Sequence, residues 1–268
     1  MKQTVADRQR NNSMFFPVII NQLSRHLSLA WIVRIIALII LSLFVIITLI
    51  LQPRVPSTLS LQQRPPVRSL IDRTVFSDLP FLAVIISSSL CYMVVFSPML
   101  YVGSHALRLD ASSKDVAPYL LVIIQASGIV GRTLPMLPLA RQQSIGLCIF
   151  AMLGASTVLY CYIAATTLSG VVTLSTMYGF FSGIYSSTFT TVLVVLTPCP
   201  QVLGTRVGMY YAAVAVPILA GPPISGVLRQ VYGFDAVWIW TGSVMFLGFI
   251  GMVLTRYLKC GWRLSTGV

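Results

Sequence analysis

Arg132 is the only charge between Asp115 and Arg141. A charge inside an apolar stretch is costly enough in lipid to be a functional candidate, here a group that holds an anionic part of a substrate. A second reading stands beside it. At about eight residues from the expected inner end of its span, roughly 12 Å by helix rise, a long arginine can snorkel part of the way to the headgroups.

Uncharged polar side chains are the other candidates within apolar stretches: Gln125, Ser127, Ser182, Ser186, Ser187, Thr190 and Thr191. Each could line a pathway, and each could equally bond the preceding turn of its own helix. Gln125, Ser186 and Thr190 join Arg132 as the expected substrate-binding set.

Acid–base and metal chemistry have little to work with. The chain has no glutamate, its six aspartates fall in loops or tails, and His26 and His105 are expected in outer loops or at helix ends without partner ligands. Cys91, Cys148, Cys161, Cys199 and Cys260 show no C-x-x-C spacing and mostly sit in apolar runs, where a thiol behaves as a small hydrophobe. No catalytic residue, cofactor or metal site is expected, and a membrane enzyme would need paired carboxylates or a nucleophile with its base.

Small residues point to packing or gating instead. Gly179 and Gly183, like Gly204 and Gly208, stand one turn apart, a spacing that lets helices approach closely in lipid. The run Gly221, Pro222, Pro223 interrupts an apolar segment and is expected to break its helix, freeing carbonyls that neighbours or a water-filled cavity must satisfy. Arg206 lies between the second glycine pair.

The elements that would position these residues follow from composition. With 56% hydrophobic residues, 9% charged and a mean hydropathy of +0.87, the chain departs far from a soluble balance. A bilayer core about 30 Å thick takes about 20 apolar residues of helix per crossing. Uncharged stretches of that kind run from Arg34 to Arg54 and from Asp78 to Arg108.

From Arg141 to Arg206 there are 64 residues without a charge, too many for one crossing, so the chain must reverse, and the polar and small residues at 166–170 mark the place. Two more spans are expected at 207–228 and 236–255. The expectation is an all-α membrane protein with six complete transmembrane helices. The apolar stretch 13–24 is too short to cross alone, and Pro17 and Asn21 argue against a signal peptide there.

Placing residues 52–78 inside puts Arg54, Arg64, Arg68, Arg73, Arg141, Arg206, Arg256, Lys259 and Arg263 on the cytoplasmic side, against Arg25, Arg108, Lys114 and Arg229 outside. The C-terminus is then cytoplasmic. A net charge of +12 could suggest nucleic acid, but arginines dispersed at helix ends read better as interface anchors, with the bilayer as partner. Residues 52–78, with Pro53, Pro56, Pro65 and Pro66 among arginines, have the composition of an extended linker. A repeat between 79–165 and 170–256 is not visible in the residues.

With the spans placed, the local sequences resemble the fungal monocarboxylate-transporter-like branch of the major facilitator superfamily. Residues 118–135 (PYLLVIIQASGIVGRTLP) are similar to that family's eighth helix, with Gln125 where an asparagine is usual. Across 178–226, YGFFSG, LTP, GTRVGM and GPPISG follow in the order and spacing of helices ten and eleven. Residues 31–54 look like the sixth helix and 14–24 like the end of the fifth.

The resemblance implies a C-terminal six-helix bundle plus the preceding transmembrane helix partly intact. It divides the chain into a remnant of an N-terminal half at 1–51, a cytoplasmic linker at 52–78, the bundle at 79–258 and a cytoplasmic tail at 259–268. It also implies that Arg132 binds a substrate carboxylate. The sequence departs from the family where an acidic partner would stand one turn earlier, at Gly128, and PLARQQSIG and LTPCP lack their usual acids.

The function expected is transport of a small organic solute, monocarboxylate-like or a secondary metabolite, by alternating access in the plasma membrane. Protons are a further partner of such a family, and self-association is what a functional half-length chain would need. A truncated, non-transporting remnant is the competing expectation. A seven-helix receptor fits the span count but not the ordered motifs.

Overall fold

The computed structural model describes residues 29–50, 73–109, 116–136, 144–197 and 200–260. The stretch 13–24, most of the expected linker, Arg141, Cys199 and the tail beyond Cys260 lie outside the described residues. Two units are distinguished, Met1–Pro66 and Val67–Val268.

The described part of the first unit is one helix, α1 (Leu29–Ile50), of 22 residues. Its many β-branched residues would disfavour a helix in water, but in lipid the helix is the form that satisfies every backbone group within one segment. Its length, about 33 Å by helix rise, matches one bilayer core. The Arg34 guanidinium lies 5.3 Å from the centre of the Trp31 ring.

The described part of the second unit begins with a 3-10 turn at Arg73–Ser77. It continues through α2 (Leu79–Leu109), α3 (Ala117–Thr133), α4 (Ser144–Cys161), α5 (Leu168–Leu196), α6 (Pro200–Tyr232) and α7 (Phe234–Cys260). No strand occurs among the described residues. Five of these helices, α2 and α4 to α7, are long and apolar enough to cross a membrane by length and composition.

Helix ends follow from local chemistry. The reversal expected at 166–170 falls between α4 and α5, where the Thr167 hydroxyl caps α5 by accepting from the Gly170 N–H at 3.3 Å. Between α6 and α7 the chain turns at Gly233, whose φ of 87° only glycine adopts readily. The last two helices run several residues beyond the expected 207–228 and 236–255. Hydropathy marks the membrane-depth portion of a helix, not the turns that continue it.

α3 is shorter than the stretch from Asp115 to Arg141 suggested. It has 17 residues and passes into a 3-10 turn at Leu134–Met136. Pro135 has no N–H to continue the α-helical ladder, and Thr133 Oγ1 donates to Val130 O at 2.8 Å. Arg132 therefore lies in the last turn of α3, not about eight residues inside it.

The expected break at Gly221, Pro222 and Pro223 does not occur, because α6 stays helical through all three and through Pro217. Neighbours support it there. Gly221 lies against the Met93 backbone so closely that a Cβ would collide with Met93 O. Tyr101 Oη donates to Pro222 O at 3.1 Å, and Ser97 and Ser225 join hydroxyls at 2.7 Å.

The helices pack in an ordered pattern: α2 against α6 and α7, α5 against α3 and α4, and α4 against α7, with α2 and α5 meeting at the centre. Exchanging α2 with α5, α3 with α6 and α4 with α7 carries this main set of contacts onto itself. The pattern of helix contacts thus has a three-plus-three symmetry that is not evident in residue identities.

Lipid supplies no hydrophobic drive for helices to associate, so close contacts and internal hydrogen bonds hold such a bundle. Ser87 Oγ donates to Gly248 O and Ser156 Oγ to Gly242 O, at 3.0 Å in the second case, joining α2 and α4 to α7. Tyr178 Oη reaches across from α5 to Val95 O of α2 at 2.9 Å.

Candidate functional site

A close seam of three glycines joins α3 to α5. A Cβ placed on Gly179 would strike Ile124 O, one on Gly183 would strike Gly128 O, and one on Gly131 would strike Phe180 O. The backbones therefore touch. Because Ile124 pairs with Gly179 and Gly128 with Gly183, the two helices run parallel and in register.

That register places the expected substrate residues. Arg132 is one turn beyond Gly128, level with Ser186 one turn along α5, and its side chain is exposed. Thr190, also exposed, is a turn further. Gln125 is exposed on the same face of α3, seven residues or nearly two turns before Arg132, about 10 Å along the axis. Arg132, Ser186 and Thr190 thus share one end of the seam, and Gln125 stands apart.

Much of the other polar inventory bonds its own helix. Ser127 donates to Ile123 O at 2.9 Å, Ser182 to Gly179 O at 2.9 Å, Ser186 to Gly183 O at 3.1 Å and Ser187 to Gly183 O at 3.0 Å. The Ser186 oxygen keeps lone pairs that can accept, but its proton is occupied. Arg132, at a helix C-terminus, also faces the negative end of the helix dipole.

Gly204 and Gly208 differ from the other pair. Nothing lies within 4 Å of a Cβ built on either, so among the described residues they make no helix contact. The spacing alone could not tell a packed glycine pair from an open one, since it fixes a face but not its neighbour.

Arg206, between them, turns inward. It is 4% exposed, its Nη1 lies 3.1 Å from Asp78 Oδ2, and its guanidinium stands 5.2 Å from the Phe81 ring centre. Near the ends of α5 and α7, Lys259 Nζ donates to Val195 O at 2.8 Å. If the helices cross alternately, these contacts lie at one end of the bundle, and they tie α2 to α6 and α5 to α7.

His105 stands near the C-terminal end of α2 but is buried there, which its residue type did not signal. It is 5% exposed, and Trp238 Nε1 donates to its Nδ1 at 3.4 Å. Phe234 meets the imidazole edge-on at 5.3 Å, and Tyr162 stacks on Trp238 at 4.5 Å. This aromatic knot joins α2, α7 and the turn after α4, at the end of α2 opposite Asp78.

Residue types in sequence gave no signal for a group of tyrosines on α2 and α5. Tyr92 is partly buried with its ring 5.8 Å from Phe189, which Tyr185 meets edge-on at 6.0 Å. Tyrosines are common in apolar helices, and only packing shows which of them meet.

No protein-family model matches the chain. It is similar to several fungal transporters. Over 241 residues it is 27% identical to the MFS-type transporter dbaD of Emericella nidulans, covering 88% of this chain and 53% of the relative. It is 28% identical over 237 residues to the aspyridones efflux protein apdF of the same organism, covering 88% of this chain and 47% of the relative. It is 26% identical over 249 residues to the agnestins efflux protein AgnL12 of Paecilomyces divaricatus, covering 91% and 54%. The chain spans about half the length of these relatives. The fold is an all-α, multi-pass membrane bundle of the major facilitator kind.

Proposed function

We propose that this chain is the C-terminal half of a major facilitator transporter that moves a small organic anion or metabolite by alternating access. The observation that carries the reading is the in-register α3–α5 seam, whose register brings the exposed Arg132 to the same end as Ser186 and Thr190. Two described carboxylates exist, Asp78 and Asp235; the first pairs with Arg206 and the second stands in the first turn of α7. A substrate carboxylate is the counter-charge that suits Arg132.

The exchange symmetry of the bundle supports the transporter reading, since inverted three-helix repeats build many transporter halves. That two relatives carry efflux in their names supports export of a metabolite. The positive-loop bias supports a cytoplasmic C-terminus, and the resemblance of 14–24 and 31–54 to the fifth and sixth helices supports the division at 1–51, 52–78, 79–258 and 259–268. The plasma membrane is the proposed location. Protons and self-association belong to this proposal as partners.

The test is flux of a labelled monocarboxylate into and out of vesicles that hold the 268-residue chain, alone and beside its Arg132→Ala variant. Saturable flux lost in the variant supports the reading. No flux from this chain, with flux restored when an N-terminal half is supplied, favours a remnant that does not transport alone.

A further inference from the structure

We infer that His105 is a proton-binding site: as a neutral imidazole it ties α2 to α7 through Trp238, and once protonated it releases them. This rests on the proposal that protons are partners in transport, and it names the residue on which they act.

The hydrogen-bond inventory fixes the protonation state. An indole N–H can only donate, so His105 Nδ1, which accepts it at 3.4 Å, carries a lone pair, and the single ring proton of the neutral form sits on Nε2. A proton added to the imidazole goes to Nδ1, where it sets N–H against N–H. The bond therefore exists in one charge state only. Among the described residues inside the spans, His105 is the side chain of the type that changes charge between pH 5 and 8. An ionisable group within a span is a functional candidate in its own right.

The contacts around it carry the change onward. Trp238 is 0% exposed and stacks at 4.5 Å on Tyr162 of the 3-10 turn after α4. The Tyr162 hydroxyl joins that of Ser175 on α5 at 3.0 Å. Phe234 and Trp238 both meet the imidazole edge-on, at 5.3 and 5.5 Å. Losing the Trp238 bond thus loosens α2, α7 and the turn after α4 at one point.

Among the described residues, the charged and titratable groups around this knot are Arg108 of α2 itself, Arg229 of α6, Asp235 in the first turn of α7 and Tyr162. The Arg108 and Arg229 guanidiniums lie 5.8 and 4.8 Å from the centre of the Phe234 ring that the imidazole also meets. An imidazolium there is a third cation beside one ring. Asp235, exposed and next to Phe234 in the chain, is the described carboxylate at this end. His105 stands four residues, about 6 Å of helix rise, from Leu109 at the end of α2. Protonation is met by an outward turn of the side chain, away from Trp238.

The experiment follows the indole N–H signals of the purified 268-residue chain, labelled with nitrogen-15 tryptophan, in nanodiscs from about pH 8 to about pH 5, with melting curves at both ends. That range takes in histidine and stays above the ordinary carboxylate values. The Trp238 signal, identified by its absence in Trp238→Phe, is expected to shift with pH. Because the bond is present at high pH and lost as pH falls, the melting temperature is expected to drop by roughly 2–4 °C across the range. His105→Gln keeps an acceptor at every pH, so both changes should vanish in it, and His26→Gln should leave them as they are. If His105→Gln elutes as aggregate, Trp238→Phe carries the test: it lacks the bond at either pH and should show a smaller melting shift. A Trp238 signal that stays put, changes that persist in His105→Gln, or an undiminished melting shift in Trp238→Phe overturns the inference. A titrating Trp238 in a chain without flux overturns the transport proposal alone, and flux with a silent Trp238 overturns His105 as the proton site.

Discussion

Arg206 Nη1 lies 3.1 Å from Asp78 Oδ2, joining the first turns of α6 to the residue that opens α2. Arg206 is deeply buried and Asp78 is 28% exposed, so the pair stands between a surface bridge and a fully desolvated one. Removing one partner leaves the other charge poorly solvated. Arg206→Ala is expected to lower stability by roughly 1–3 kcal/mol, less than a fully buried pair because water reaches Asp78. The check is thermal unfolding in detergent of both single variants and the charge-swapped double, which should recover part of the loss.

Gly183 and Gly208 have the same spacing partners in sequence and opposite surroundings. Gly183→Ala forces α5 away from Gly128 of α3 and is expected to cost about 1–3 kcal/mol, the range for overpacking. Gly208→Ala meets open space and should change stability by less than about 0.5 kcal/mol. Melting curves of the two variants side by side would settle it; equal losses would mean that the α3–α5 contact is not as described.

The Ser97–Ser225 hydroxyl pair at 2.7 Å bridges α2 and α6 beside Pro222 and Pro223. Hydrogen bonds of this kind between membrane helices contribute about 0.6 kcal/mol on average and up to roughly 1.7. Ser225→Ala should therefore cost about 1 kcal/mol, and Ser97→Ala added to it almost nothing more. Additive losses in the double variant would contradict the pairing.

Trp238 Nε1 has His105 Nδ1 as its acceptor, in a setting where both side chains are buried. His105→Leu leaves an indole N–H unpaired, an expected loss of roughly 1–3 kcal/mol. Trp238→Phe added to that variant should restore part of the loss by removing the orphaned donor. A double-mutant cycle with no coupling would rule out the bond.

How much of this was legible in the residues depends on the kind of question. Charge-free stretches of bilayer length announced α2, α5, α6 and α7, and the polar residues at 166–170 announced the turn between α4 and α5. The end of α3 was misjudged because hydropathy continues past Pro135 although the α-helical ladder does not. Gly221, Pro222 and Pro223 signalled a break because sequence shows the missing N–H groups but not Met93, Tyr101 and Ser97, which hold the helix in place.

The candidate site divides in the same way. Arg132 stood out because a lone charge in an apolar stretch is conspicuous by type. Its nearness to Ser186 and Thr190, and the distance of Gln125, follow from the α3–α5 register, which is set where glycines let two backbones touch. Asp78 looked like a loop acid and Arg206 like an interface anchor; that they pair across 128 positions of chain could not be read from either residue.

The sequence by itself determined that the chain is membrane-embedded and all-α, because apolar length and the absence of charge are properties of each segment alone and lipid leaves the helix as the form that satisfies the backbone. Tertiary structure alone decided which helices meet, which glycines pack, and that the helix contacts follow a three-plus-three pattern. Those depend on contacts between segments far apart in the chain, where shape is kept while residue identities are free to change.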